Sequence, residues 1–456
     1  MNSTLYIADT LITMNPGNEV LSDSAVQVEQ GIITNIGPKD MLGDRNPQAK
    51  VVRLANCLLM PGLINTHCHS GLLRGTAEGL PVWDWLQQYI DPMHRVLLPE
   101  EAALASRLCY AEALLSGTTT IVDMWRYMDG SAAAAKELGI RAMLVPYVAE
   151  HPDHDYFETL DTNEALIKEW QGEAEGRIRV WVGLEHLFYA EPPALKRISD
   201  LCRDYEVGFH THSNESKFDV KKTLERYSAR PIELLEQVGL LDTPNTLLAH
   251  CVWLDDREIE ILKSHNVGVA HNPISNMKLA SGAARVTDML EHNIAVGLGT
   301  DGEKENNNLD MFEEMKSASL LAKLNAENAA ALEAWDVCRM ATINGARALG
   351  IDEEVGSLEV GKKADMIAVR TNTPRMTPLI DSGKYLNLHH NLVHAVQGGD
   401  VAMTIVDGKV LVINGQLQTA NLGKIIEEAS QAIQPLLSRR DEWIEKSGLS
   451  VNELDQ

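Results

Sequence analysis

Apolar residues change their spacing twice along this chain of 456 residues. Over residues 1–57, runs such as TLYIADTLITM, AVQVEQGIITNIG and KVVRLANCLLM place β-branched or alternating apolar residues between Gly, Asn, Pro and Asp. That pattern predicts short strands joined by turns. From residue 58 to residue 355, apolar strand-like runs alternate with longer stretches whose apolar residues fall at helical spacing. The strand candidates are LLMPGLINTH, TTTIVDM, RAMLVPYV, IRVWVGLEH, EVGFHTH, TLLAHC, VGVAHNP and AVGLGTDG. Helical segments such as EEAALASRLCYAEALLSG, EALIKEWQGEA, ALKRISDLCRDY and ARPIELLEQVGLL lie between them. Eight strands in such alternation predict an α/β chain folded as a TIM (β/α)8 barrel. A doubly wound sheet is the rival, but its Gly-rich dinucleotide turn is absent, as is a P-loop. Strand texture returns over residues 356–420 in GSLEVGKKADMIAVR and VAMTIVDGKVLVINGQL. Those strands are expected to pair with residues 1–57 in a small composite β-sandwich built from both chain ends. Residues 421–456 read as a terminal amphipathic helix.

The formal net charge of −25, with no Lys/Arg-rich run, opposes binding to a nucleic acid. The opening MNSTLYIADT lacks the basic start and apolar core of a signal peptide, and no apolar run is long enough to span a bilayer. Six scattered cysteines, with no C-x-x-C pair, read as reduced thiols of a cytoplasmic protein and give no support to Cys-ligated zinc.

The candidate chemistry lies where the predicted strands stop. LINTHCHSG places His67 and His69 two residues apart, so both face the same way at the C-terminal mouth of the barrel. HTHSNE brings His210, His212 and Glu215; GLEH ends in His186, LLAHC contains His250, VAHNP contains His271 and GLGTDG contains Asp301. Any one of these alone reads as a core histidine or a turn aspartate. Burying so many polar rings around one axis is costly unless something coordinates them. A divalent ion does so, and imidazoles with one carboxylate suit Zn²⁺ first and also Fe²⁺.

The order H-x-H, H-x-x-E, His and Asp in GTDG resembles the amidohydrolase superfamily. More narrowly it resembles the mononuclear branch containing s-triazine hydrolases and methylthioadenosine/adenosylhomocysteine deaminases. MPGLINTHCHSGLLRGTAEGLPVWDWL, HNPISNMKLASGAARVTDMLEHNIAVGLGTDG and ATINGARALGIDEEVGSLEVGKKADMIAV carry the resemblance over nearly the whole chain. It implies one metal ion held by His67, His69, His212 and Asp301, lowering the pKa of its bound water. By the same likeness Asp301 also takes the water's proton, Glu215 shuttles protons to the ring and the leaving amine, and His250 hydrogen-bonds the attacking oxygen. His186 contacts the substrate ring, and His210 supports the site without ligating. No lysine matches a bridging carbamate. His389, His390 and His394 are read as structural. The resemblance also implies homo-oligomers.

For the substrate, the expectation is an aminated nitrogen heterocycle of triazine, purine, pterin or pyrimidine type, deaminated by hydrolysis. Two departures count against a nucleoside: His94 stands where the nucleoside branch carries a sugar-binding Glu, and Pro146 with Tyr147 replaces an Arg. EHLFY likewise replaces a Pro-His-x-Pro-Tyr pattern. Trp83, Trp85, Phe188 and Tyr189 are candidate pocket walls. Glu303 and Glu305, in GTDGEKENN, are expected beside the mouth, where they favour an amine-bearing substrate. His94, Trp85, His186 and Glu305 thus form the candidate substrate-binding set. The alternatives are a chloro-s-triazine hydrolase, a methylthioadenosine/adenosylhomocysteine deaminase and a non-catalytic metal-stabilised barrel.

Overall fold

The computed structural model describes residues 3–449. Four strands come first: β1 (Ser3–Ile12), β2 (Val20–Glu29), β3 (Ile32–Pro38) and β4 (Lys50–Pro61). The barrel follows with β5 (Leu63–Cys68), β6 (Thr118–Trp125), β7 (Arg141–Pro146), β8 (Ile178–Val180), β9 (Val182–His186), β10 (Phe209–Ser213), β11 (Thr246–His250), β12 (Val267–His271) and β13 (Ala295–Leu298). The chain closes with β14 (Met366–Arg370), β15 (Val401–Val406), β16 (Lys409–Ile413), β17 (Gln416–Leu417) and a helix over Leu422–Ser447.

β8 and β9 are one predicted stave broken at Trp181, so the barrel has the eight parallel staves read from the sequence. They form two arcs, β5-β6-β7-β8 and β9-β10-β11-β12-β13. Each stave is buried along nearly its whole length, as helices on the outside and packed side chains within require. The seams are pinned by hydrogen bonds: Trp181 N–H to the Leu144 carbonyl (3.0 Å) on one side, Asp301 N–H to the His67 carbonyl (3.0 Å) on the other.

The chain ends make one eight-stranded sheet, in the order β17-β16-β15-β14-β4-β1-β2-β3. Alternation along β4 and β14 divides their side chains between two cores. Leu58, Met60, Ile367 and Val369 pack into the barrel, whereas Cys57, Leu59, Met366 and Ala368 pack inside the sheet with Tyr6, Val26 and Ile33. The Gly31 carbonyl accepts from Ala364 N–H, and Ile33 N–H donates to Lys362, so the expected sandwich is a single sheet folded over its own core. β4 also runs across the boundary expected at residue 57, entering β5 through Gly62, where a side chain would collide with Thr119.

Sheet and barrel are joined by a buried ion cluster. Arg141, on β7, holds Asp365 through Nε (2.9 Å) and Nη2 (3.2 Å), and Asp407 through Nη2 (2.7 Å). The Leu422–Ser447 helix packs on the helices Asp91–Val96 and Pro99–Leu115. Its Arg440 donates to the Gln88 carbonyl (2.8 Å), tying it to the segment that covers the barrel mouth.

Candidate metal centre and active site

Four staves deliver these side chains: β5 brings His67 and, one residue past its end, His69; β10 brings His212; β11 ends on His250; Asp301 lies three residues beyond β13. All are buried. His250 (φ 71°) and Asp301 (φ 58°) both occupy the left-handed backbone region, a strain of about 1–3 kcal/mol each that a rigid surround must offset.

Hydrogen bonds fix which nitrogen of each ring faces inward. His69 Nδ1 donates to the Met124 carbonyl (2.7 Å), and His212 Nδ1 donates to the Glu185 carbonyl (2.8 Å). His210 Nδ1 donates to the Leu247 carbonyl (2.9 Å), which leaves its Nε2 as acceptor for His67 Nδ1 at 2.8 Å. Each of the three rings therefore turns an unprotonated Nε2 toward the barrel axis. His69 Nε2 and His212 Nε2 face each other at 3.1 Å with no proton to share. His67 Nε2 has no hydrogen-bond partner among the described residues. Asp301 Oδ1 lies 3.2 Å from His69 Nε2 and 3.4 Å from His67 Nε2.

Converging lone pairs beside a buried carboxylate repel one another unless a cation lies between them. Tetrahedral ligands about 2.0–2.1 Å from a zinc ion stand about 3.3 Å apart, close to the spacings seen here. The donor set fits one divalent metal ion. Burial holds His67 and His212 well below the usual imidazole range. Burial opposes ionisation of Asp301 as well, but its contacts with His67 and His69 override this and hold its carboxyl well below the usual range. Ser275 Oγ (2.7 Å) and Gly302 N–H (3.1 Å) donate to the same carboxylate.

Around this centre lies a small cavity of about 20 Å³, room for a single water. Trp85, Tyr147, Glu185, His186, Glu215 and His250 are among its walls. Glu215 accepts from Ser281 Oγ (3.0 Å), and its own amide donates to Asp219 (2.7 Å). His250 Nδ1 donates to Asn276 Oδ1 (2.9 Å), and its Nε2 lies 3.8 Å from Asp301 Oδ2. Trp85 lines the cavity with an indole N–H that has no partner among the described residues. Trp83 and Phe188 instead stack outside it against His186, with centroids 5.0 and 5.1 Å from that ring, and Trp83 donates to Ser216 Oγ at 2.9 Å.

Other residues singled out in the sequence stand elsewhere. His94 is not among the cavity walls; it packs behind Tyr147, at a centroid distance of 5.2 Å, with both ring nitrogens unpartnered among the described residues. His271 is buried outside the donor set. His389 stacks on Trp335 far along the chain (4.5 Å). Glu305 does line the cavity, but it is buried and neutralised by Lys304, whose Nζ lies 3.0 Å away. Glu303 is also buried, accepting from Leu73 N–H (3.0 Å). The two acids are therefore not an open negative rim. Glu185, Ser275, Asn276 and Ser281 belong to the site and were not singled out beforehand. The last three sit inside the HNPISNMKLASG stretch that carried the resemblance.

Residues 58–411 match the amidohydrolase family. The chain belongs to that family. It is 40% identical over 432 residues to a 5′-deoxyadenosine deaminase of Methanosarcina acetivorans, covering 94% of this chain and 97% of that one. It is also 40% identical over 423 residues to a 5-methylthioadenosine/S-adenosylhomocysteine deaminase of Caldanaerobacter subterraneus subsp. tengcongensis, covering 92% and 95%. Among solved structures, an adenosine deaminase from Xanthomonas campestris with bound zinc superposes with a TM-score of 0.88 at 30% identity, covering 96% of this chain and 99% of that one. No helix among the described residues is long and apolar enough to cross a membrane.

Proposed function

We propose that this member of the amidohydrolase family is a zinc-dependent hydrolytic deaminase of adenine nucleosides modified at the 5′ position. The observation that carries the reading is the convergence of three imidazole lone pairs and Asp301 on one point, with the Glu215 carboxylate in the same cavity. The relatives, similar over nearly their full length, are deaminases of 5′-deoxyadenosine, methylthioadenosine and adenosylhomocysteine. They weigh against the expectation that a nucleoside is disfavoured. That expectation leaned on His94, which packs behind Tyr147 and does not border the cavity, as well as on Pro146 with Tyr147, of which Tyr147 is a cavity wall, and on EHLFY. Zinc is proposed because a set of three imidazoles and one carboxylate suits it, and the Xanthomonas campestris neighbour is described with zinc bound. Six buried free cysteines support a cytoplasmic setting.

The ion, when bound, supplies a water of lowered pKa at the ring carbon that bears the amine. Asp301 accepts that water's proton. Glu215, protonated at the outset, delivers its proton to the adjacent ring nitrogen, takes up the proton of the added hydroxyl and passes it to the departing nitrogen. The proton held by Asp301 then returns to Glu215, so water plus aminopurine gives oxopurine plus ammonia. His250, braced by Asn276, hydrogen-bonds the incoming oxygen. Trp85 presents its free N–H to an acceptor on the substrate. A nucleoside is far larger than the closed cavity, so binding one requires the walls, Val82 and Trp85 among them, to open.

The test is a panel of 5′-deoxyadenosine, methylthioadenosine, adenosine, guanine, a pterin and a chlorotriazine, scored for ammonia and chloride release by zinc-loaded protein. Ammonia release that is fastest from the first two substrates bears the reading out. Chloride release alone transfers it to the chlorotriazine alternative.

A further inference from the structure

We infer that Glu185 is a positioning residue that fixes a metal-ligand ring and a substrate-facing ring at once, through different atoms. Its backbone carbonyl accepts from His212 Nδ1 at 2.8 Å, while its carboxylate accepts from Nδ1 of His186, the next residue in the chain. The inference rests on the deaminase reading above.

The geometry sets Glu185 apart from an ordinary buried acid. It is 2% exposed and has no Lys or Arg partner among the described residues. A buried carboxylate is costly to leave unpaired, whereas an apolar residue there would carry no such penalty. Its carboxylate is hydrogen-bonded to His186, and its other oxygen stands 4.0 Å from His212 Nδ1, too far for a hydrogen bond. The His186 ring lies between Trp83 (5.0 Å) and His212 (5.1 Å, 16° between planes). With Nδ1 committed to Glu185, the ring's rotation is set and its Nε2, buried and unpartnered among the described residues, remains for a ligand. His186 and Glu185 are both cavity walls, so that ligand is the polar edge of a flat nitrogen heterocycle.

The two contacts use different parts of Glu185, and this makes them separable. Any side-chain substitution keeps the carbonyl that orients His212, so the metal centre should survive a change that frees His186. A residue needed only for packing would show no such split.

The experiment compares zinc-loaded wild type, Glu185→Ala and Glu185→Gln by steady-state kinetics on 5′-deoxyadenosine, and by competition for zinc against a chromophoric chelator. Glu185→Ala is expected to raise KM about 10- to 100-fold, with kcat affected less and zinc affinity within about threefold of wild type. Glu185→Gln, whose amide oxygen can accept the same N–H, is expected to restore KM to within about threefold. If Glu185→Ala fails to fold, Glu185→Leu fills the volume without an acceptor and carries the same expectation. An unchanged KM in the variant lacking the acceptor, or zinc affinity falling in step with KM, overturns the inference. Absence of turnover by the wild type refutes the deaminase reading, whereas wild-type turnover with an unchanged KM in the variant refutes this inference alone.

Discussion

His67 Nδ1 donates to His210 Nε2 at 2.8 Å, and His210 Nδ1 in turn donates to the Leu247 carbonyl. The relay leaves His67 one protonation pattern, with its Nε2 lone pair directed at Asp301 and the metal point. His210 is not among the walls of the site's cavity, yet it sets the electronic face of His67. Glutamine could supply a side-chain acceptor but not the rigid ring geometry. His210→Gln is therefore expected to weaken zinc binding about 10- to 100-fold, read by chelator competition, with the unfolding midpoint of the metal-free protein little changed.

Glu215 is the one carboxylate in the cavity engaged by neither an imidazole nor a lysine; Ser281 Oγ orients it instead. Replacement by Gln preserves shape and removes the proton carrier. Glu215→Gln should keep wild-type zinc content and circular dichroism while kcat falls about 10²- to 10⁴-fold. Full activity in that variant would remove the shuttle role.

Burial pushes the Asp219 carboxyl up to about 7, although His186 and the Glu215 amide favour its charged form. Its ordinary value is 3.8, so between those values the native state holds a proton that the unfolded chain has released. This contribution to stability is complete below the lower value and is lost as pH rises through the upper one. Asp219→Asn cannot titrate there and retains an oxygen acceptor for the Glu215 amide. Denaturant unfolding at about pH 5 and about pH 8 should show wild type losing up to about 3 kcal/mol more than the variant across that interval.

Arg141 bridges Asp365 and Asp407 where the sheet of chain ends meets the barrel, and all three are largely buried. Removing the cation strands Asp365 in a low-dielectric interior and leaves Asp407 with Arg177 alone. Arg141→Met should cost about 3–5 kcal/mol in global unfolding, while KM of the remaining folded enzyme stays near wild type, because the cluster is remote from the cavity walls.

The barrel was legible because each stave is apolar and bounded by helical spacing, and the metal ligands were legible because they recur at stave ends. Other features depend on what happens when regular alternation stops. The strand period places Glu185 on the face opposite His186, and so away from the site. At that point the β9–β10 register shifts between Thr211 and His212, and the neighbouring side chains Glu185 and His186 meet in the cavity wall. Likewise GTDGEKENN reads as a charged loop, whereas the four-residue helix Glu303–Asn306 turns both acids inward and buries Lys304 as the counter-charge. Nothing in local spacing shows that a lysine three residues past a ligand will be enclosed. The fold of the chain ends was similarly legible as strands but not as one continuous sheet, since pairing between residues hundreds of positions apart leaves no local periodicity.

A hydrolytic deaminase built on this site requires the one ion that His67, His69, His212 and Asp301 would hold. The most direct measurement of that requirement is a zinc titration of chelator-stripped enzyme, following ammonia release from 5′-deoxyadenosine. No release is expected without metal, and the rate should climb linearly to a plateau at one zinc per chain. Undiminished release from the stripped protein, or a plateau only at two zinc ions per chain, would contradict the requirement for one ion.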